Sequence, residues 1–475
     1  MMKRKGHGVD LASSLSLTLI SIVCFAFVDD TDLINTAINR TTSGEEMLPK
    51  FQEALDRWAG ALKATGGELA PAKSCFALID FSWNGTNWEY RSEDDMLGEC
   101  TLNDKFENPH NLKRISVSEA CETLGVFLAM DGNQKKHMES LKEKADEFGE
   151  KIIRSNCDPN TAIYTYNSCL MKSLEYSMVV SDFTYKEWNN IVYQAKRRTL
   201  QKSRMARNFP HAVLYGPKKF NGAGFQHPFY NSGIEKICAM IQECTQSTQT
   251  GTLIQAVSEG FRLELGYNTT LGEIRDGEYK RIKKIVSPCW YEHIMKFFIA
   301  INDPKRIELI EDTPSMPTLR INDSFIMREF LDAGVRDDYL QILNYIRMSI
   351  KAVTLADIAT PNGKKISFDA WNVVGSNNLR SDYDWPRDPP NFTENQKNIW
   401  RDALHKTFGV PHTSNLCKDI RLANQLGPWT NEKLIEKWTY HYSIEESRVY
   451  KREGLTWKAF YQLPGPNTRN KRFEV

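Results

Sequence analysis

Behind a short basic start, Lys3-Arg4-Lys5, runs the apolar segment LASSLSLTLISIVCFAFV (11–28). Leu15, Leu17 and Leu19 alternate with Ser16 and Thr18, which is strand periodicity. Ile22, Val23, Phe25, Phe27 and Val28 then favour a buried β-strand. A secretory signal over residues 1–28 is the alternative, but hydroxyls interrupt the run and no small-x-small cleavage site follows it. Asp29-Asp30-Thr31-Asp32 stops the strand, and Leu33, Ile34, Ala37 and Ile38 resume the apolar pattern. The expectation is strand, carboxylate turn, second strand.

Helical spacing comes next. Leu48, Phe51, Leu55, Trp58 and Leu62 recur every three or four residues and so share one face. Thr41-Thr42-Ser43 offers N-caps, with Glu45 and Glu46 behind them, and Gly66-Gly67 closes the helix. Strands are expected at 75–81 and 122–128, with a hairpin turn at Asn84-Gly85 flanked by Trp83, Trp88 and Tyr90. Met138, Leu141, Ala145, Phe148 and Ile152 begin a mainly helical region. Gly/Pro-rich loops fall at 215–224 and 382–390, and prolines at 304, 314 and 317 mark a boundary. The fold class is therefore α+β, organised as 1–130, 131–303 and 318–475, with the last two segments mainly α-helical.

Composition narrows the class. The 475 residues are 41% hydrophobic and 25% charged, which is enough apolar material for a sizeable core. Lys+Arg is 61 and Asp+Glu is 60, so a globally basic nucleic-acid coat is excluded while local patches are not. Ten cysteines, none spaced C-x-x-C, give no local zinc or redox signature. An intracellular, nuclear or cytoplasmic location without a membrane partner is expected. The nine histidines, among them His405, His412 and His441, form no ligand spacing.

Two features carry candidate chemistry. Asp29 and Asp30 at the tip of an apolar hairpin repel one another unless a cation lies between them, and Mg²⁺ prefers such hard oxygen ligands. Lys196, Arg197, Arg198, Lys202, Arg204 and Arg207 form a basic patch able to neutralise phosphates, with a second cluster at Lys280, Arg281, Lys283 and Lys284. A solvated helix face explains either cluster equally well. Aromatics among bases near the C-terminus (Trp429, Trp438, Tyr440, Tyr442, Tyr450, Trp457, Tyr461) suit base stacking or an ordinary core.

The order of FAFVDDTDL (25–33), the helix around Trp58, GGELAPAKSCF (66–76) and ETLGVFL (122–128) resembles the end of the palm of a retroelement-encoded reverse transcriptase of the non-LTR type. The resemblance implies an RNA-directed DNA polymerase, a nucleotidyltransferase. It assigns Asp29 and Asp30 to Mg²⁺, Lys73 to the pyrophosphate leaving group, Leu124 and Gly125 to the strand that grips the primer, and an RNA–DNA primer–template duplex as partner. Residues after 131 correspond to a helical thumb. The family's palm has a further aspartate on a neighbouring strand. Only 28 residues precede Asp29, and Asp10 is the sole carboxylate among them. A truncated palm, inactive alone, is therefore expected; a non-catalytic nucleic-acid-binding protein derived from a reverse transcriptase is the alternative. Asp80 ends an apolar strand on the wrong side of the hairpin for the family order and is expected to be structural.

Overall fold

The computed structural model describes residues 6–27, 30–37, 42–96, 98–301, 314–375, 379–380, 382–386, 391–409, 420–430, 440–443, 448–453 and 456–462. It is a mixed α/β structure, about 49% helical, so the long helices rather than the small separate sheets provide most of the framework. The described residues form two compact units. The first comprises 1–11, 20–252 and 292–297, and the second 12–19, 253–291 and 298–475. Residues 130 and 131, where the sequence suggests a boundary, both lie in the first unit. No helix among the described residues is long and apolar enough to cross a membrane.

Four short strands come first along the chain, β1 (Val9–Ala12), β2 (Leu19–Ile22), β3 (Cys24–Phe27) and β4 (Asp30–Leu33). β1 pairs with β2, and β3 with β4, as two-stranded sheets. The single buried strand expected from 11–28 is thus broken, and Leu11, Leu17, Leu19 and Phe25 are exposed. The hydroxyls cause the break. The backbone N–H of Thr18 donates to Ser13 Oγ at 2.8 Å, and the Ser13 N–H donates to the Thr18 carbonyl at 3.0 Å. Within the second unit, Glu259 accepts the N–H groups of Leu15 and Ser16 and the Ser16 hydroxyl, each at 2.8 Å. A serine-rich turn that satisfies its own backbone competes effectively with a continuous strand.

Helix α1 (Gly44–Ala64) starts in the capping box that Ser43 and Glu46 make. Its inward stripe, Leu48, Phe51 and Leu55, packs with Leu33 of β4, Leu69, Leu78, Cys100, Leu102, Leu112 and Phe76 of β5 (Cys75–Phe76) in one apolar core. At Gly98, φ is +140° and an added Cβ would meet Leu48 at 2.0 Å, so only glycine lets that loop lie on the helix. β6 (Phe81–Trp83) and β7 (Trp88–Tyr90) form the hairpin expected around Asn84-Gly85. Asn84 Oδ1 accepts from the N–H groups of Thr86 and Asn87, and Trp83 faces Trp88 edge-on at 5.4 Å. β8 (Thr101–Asn103) pairs with β9 (Pro109–Asn111), and β10 (Lys113–Arg114) runs parallel to β5.

The strand expected at 122–128 is instead a hairpin, β11 (Cys121–Thr123) and β12 (Val126–Leu128). Leu124 (φ +51°) and Gly125 (φ +77°) are its two turn residues. Two successive positive φ values match the right-handed twist of the flanking strands, and the glycine supplies one of them without strain.

Helices follow. α2 (Lys135–Arg154) buries Leu141, Ala145 and Ile152, the stripe read from the sequence. It lies against α6 (Tyr193–Lys202), so closely that a Cβ on Gly149 would sit 3.2 Å from the Ala195 backbone. α3 (Pro159–Thr165), α4 (Met171–Val180), α5 (Tyr185–Ile191), α7 (His211–Leu214) and α8 (Pro228–Thr245) complete the layer. α9 (Gln249–Leu265), α10 (Asp276–Ile282) and α11 (Trp290–Ile301) lead on to α12 (Ile326–Asp332), α13 (Asp337–Ser349), α14 (Leu355–Ile358), α15 (Phe368–Asn372) and α16 (Glu394–Phe408). The second unit has its own core around Leu263, Met316, Met348, Val353 and Trp385.

Among the described residues of the C-terminal segment, α16 is the last helix. β13 (Lys365–Ile366) pairs with β14 (Ile420–Arg421), and β15 (Tyr440–Ser443), β16 (Arg448–Glu453) and β17 (Thr456–Gln462) form a three-stranded antiparallel sheet. Tyr440, Tyr442, Tyr450, Trp457 and Tyr461 are strand residues of this meander. The spacing of two between Tyr440 and Tyr442 is a β signal. Trp429 is buried, stacked under Arg320 at 4.8 Å, and so belongs to the core. Trp438 lies outside the described residues.

Candidate functional site

The carboxylate hairpin forms as expected, with Cys24 opposite Leu33, Phe25 opposite Asp32, Ala26 opposite Thr31 and Phe27 opposite Asp30. Asp29 lies outside the described residues. Asp30 is the first residue of β4, and the carboxylate that shares its strand face is Asp32, two residues and about 7 Å further along. Asp32 is thus a candidate beside the adjacent Asp29-Asp30 pair, and the D-x-D spacing in a strand is the sequence signal for it. Asp32 is raised above the ordinary carboxylate range, first by partial burial and second by the negative charge of Asp30. Among the described residues no basic side chain pairs with either carboxylate. Two hard oxygen donors fit part of an Mg²⁺ shell, while the described residues bring together no group of three His, Cys, Asp or Glu side chains able to hold a metal.

Lys73 ends a single 3₁₀ turn, Pro71–Lys73, immediately before β5. Pro71 sets the first helical φ of that turn, and the Lys73 side chain is exposed. β5 and the β11–β12 hairpin approach one another: Cys75 Sγ lies 3.1 Å from Cys121 Sγ. The lysine turn and the hairpin bearing Leu124 and Gly125 are thereby neighbours. Leu124 is exposed at the tip of that hairpin, while Val126 is buried beneath it.

Asp80 has a structural task. Its carboxylate accepts from the Gly44 N–H at the start of α1 (3.1 Å) and pairs with Arg91 at 2.7 Å, while Arg91 also pairs with Glu45 at 2.9 Å. The network ties the β6–β7 hairpin to the α1 N-terminus. Hydrogen bonding to Arg91 holds Glu45 down at about 2. Burial pushes Asp80 upward, but Arg91 and the N–H groups of Phe81 and Gly44 outweigh it and leave the group lowered. Folded-state values below the unfolded ones contribute stability that is complete above pH ~4.5 and is lost as pH falls towards 2. In Arg91→Ala the drop in denaturant midpoint between pH 6 and pH 3 is expected to be smaller than in the parent protein. Equal drops would show that the ion pairs contribute nothing.

The basic patch divides into two sets. Lys196 is half-buried; its ammonium donates to Asn189 Oδ1 at 3.2 Å and to the Tyr215 hydroxyl at 3.3 Å, and burial lowers its pKa. Arg198 pairs with Glu150, and Lys202 donates to the Ser155 carbonyl. These three bases hold helices together. Arg197 is half-exposed, and Arg204 and Arg207 are exposed; among the described residues no ion pair holds their guanidinium groups. Tyr193, 54% exposed, stands four residues before Arg197 on the same face of α6 and was not singled out in the sequence. An exposed aromatic one turn from an arginine was the available signal.

Beside Lys196, His227 stacks on Tyr185 at 4.5 Å with Tyr215 edge-on at 5.2 Å. Burial, then Lys196 and His211, push His227 down to about 3, so it stays neutral and caps α8 by accepting from the Phe229 N–H at 3.1 Å. In the second cluster, Arg281 pairs with Asp337 at 2.6 Å and Lys280 with Asp276 at 2.5 Å, while Lys283 and Lys284 are exposed. Lys280, Arg281 and Lys284 line an open groove of about 680 Å³ together with Arg336, Asp337 and Asp338. The groove therefore carries mixed charge.

No family model matches the chain, and no curated protein and no solved structure is significantly similar to it.

Proposed function

We propose that this chain acts as the palm-end and thumb portion of a retroelement-type RNA-directed DNA polymerase, holding an RNA–DNA primer–template duplex and offering Asp29 and Asp30 to Mg²⁺. One observation carries the reading. A single apolar core joins the carboxylate hairpin through Leu33, the α1 helix through Leu48, Phe51 and Leu55, and the strand after Lys73 through Phe76. Asp30 and Lys73 thus adjoin elements that share one apolar core, as positioning of reacting groups requires. Arg197, Arg204 and Arg207 supply the phosphate contacts, and Tyr193 an aromatic face for a base.

A second reading, a duplex binder without metal chemistry, draws support from the isolation of β3–β4 as a two-stranded sheet. Duplex affinity with and without Mg²⁺ separates the two. Under the proposal Mg²⁺ strengthens binding by the parent chain, Asp30→Asn abolishes that gain, and the chain alone extends the primer little or not at all. Under the second reading neither the ion nor the substitution matters. Duplex affinity that does not vary with salt would overturn both, since phosphate neutralisation releases counterions.

A further inference from the structure

The contact between Cys75 and Cys121 has no part in polymerase chemistry. The two are 46 positions apart in sequence, yet their sulfurs lie 3.1 Å apart. Bonded sulfurs lie about 2.05 Å apart, so closure needs a movement of about 1 Å. Both are free thiols; Cys75 is exposed and Cys121 half-buried, whereas Cys100 nearby is fully buried in the α1 core. The backbone around them is firm. β5 pairs in parallel with β10, Cys75 standing opposite Lys113, and the Ile115 N–H donates to the Phe76 carbonyl at 3.0 Å. Cys121 begins β11, opposite Leu128. Two side chains projecting from paired strands therefore meet at the surface within reach of a small oxidant.

We infer that Cys75 and Cys121 are a thiol pair that closes to a reversible disulfide when the protein meets a low-molecular-weight disulfide such as glutathione disulfide. The thiolate of one cysteine attacks a sulfur of the oxidant, breaks its S–S bond and releases one glutathione thiolate. The second cysteine, as thiolate, attacks the resulting mixed disulfide and releases the other. The two protons given up by the cysteines pass to the released thiolates. Two protein thiols are oxidised and one disulfide is reduced to two thiols. Partial burial, and then the neighbouring Cys121, push the Cys75 thiol up to about 12, so exchange is slow at neutral pH and faster in mild alkali. Closure fastens the turn bearing Lys73 to the hairpin bearing Leu124 and Gly125, whatever those residues do.

The test uses the full chain, reduced and then incubated at pH 8 with glutathione disulfide. Remaining thiols are alkylated and the protein is digested with trypsin without reduction. Cleavage after Lys73, Arg91, Arg114 and Lys135 isolates Cys75 in peptide 74–91 and Cys121 in peptide 115–135. The expected result is these two peptides joined, separated again by dithiothreitol, with Cys75 carrying glutathione in Cys121→Ser. Recovery of both peptides from the parent protein separately alkylated, separately glutathionylated, or joined to other cysteines would overturn the inference. The parent result decides even where the serine variant fails to fold.

Discussion

Arg380→Met is expected to destabilise the second unit by about 3–5 kcal/mol, the cost of removing one partner of a buried ion pair. Arg380 Nε lies 2.7 Å from Asp357 Oδ2, and the two side chains are 2% and 0% exposed. The guanidinium also donates to the Pro317 carbonyl at 2.8 Å, the Thr354 hydroxyl at 3.2 Å and the Tyr383 hydroxyl at 3.1 Å. Asp357 meanwhile accepts from the N–H groups of Val353 and Thr354 at 2.8 Å each. Methionine fills much of the same volume but removes the guanidinium that pairs with that carboxylate at 2.7 Å. Adding Asp357→Asn, which keeps an acceptor for the two N–H groups and removes the charge, is expected to recover part of the loss. Urea unfolding followed by tryptophan fluorescence measures both. A loss below about 1 kcal/mol for Arg380→Met would place the pair with surface ion pairs in strength.

The second large effect concerns nucleic acid. Arg197→Gln with Arg204→Gln and Arg207→Gln is expected to weaken binding of an RNA–DNA duplex by about tenfold or more at low salt. The slope of log K against log salt should fall by about two to three, close to one for each phosphate contact removed. Glutamine keeps most of the side-chain stem, so packing changes little. Lys196→Gln is the control from the same cluster. Its ammonium already serves Asn189 and Tyr215, so the slope is expected to stay unchanged while stability falls. An unchanged slope in the triple variant, or a change for Lys196→Gln as large, would remove this patch from the duplex contact.

Local signals in the chain proved dependable where the physics is local. The Ser43 capping box, the Leu48–Leu55 stripe, the Asn84-Gly85 turn and the α2 stripe all lie where residue spacing puts them, because each depends on neighbours within a few positions. Residues 122–128 misled for a local reason too: Leu124 adopts φ +51°, a conformation that a run of apolar residues does not advertise. Residues 11–28 misled for a distant one. Ser16 and Leu15 are satisfied by Glu259, 243 and 244 positions away, and no periodicity within the run reports that partner.

The candidate site divides in the same way. Residue type and spacing alone fix that carboxylates follow an apolar strand, that Lys73 precedes a second strand and that six bases cluster within twelve residues. Tertiary structure alone decided which groups stand free and which are committed. It gave Asp80 to Arg91 and the α1 N-terminus, withdrew Lys196, Arg198 and Lys202 into packing between helices, and brought Cys75 against Cys121. The reason is that charge and hydrogen-bonding capacity belong to a residue, but whether a partner has already claimed them depends on chain segments tens of residues away, and only the folded core brings those segments together.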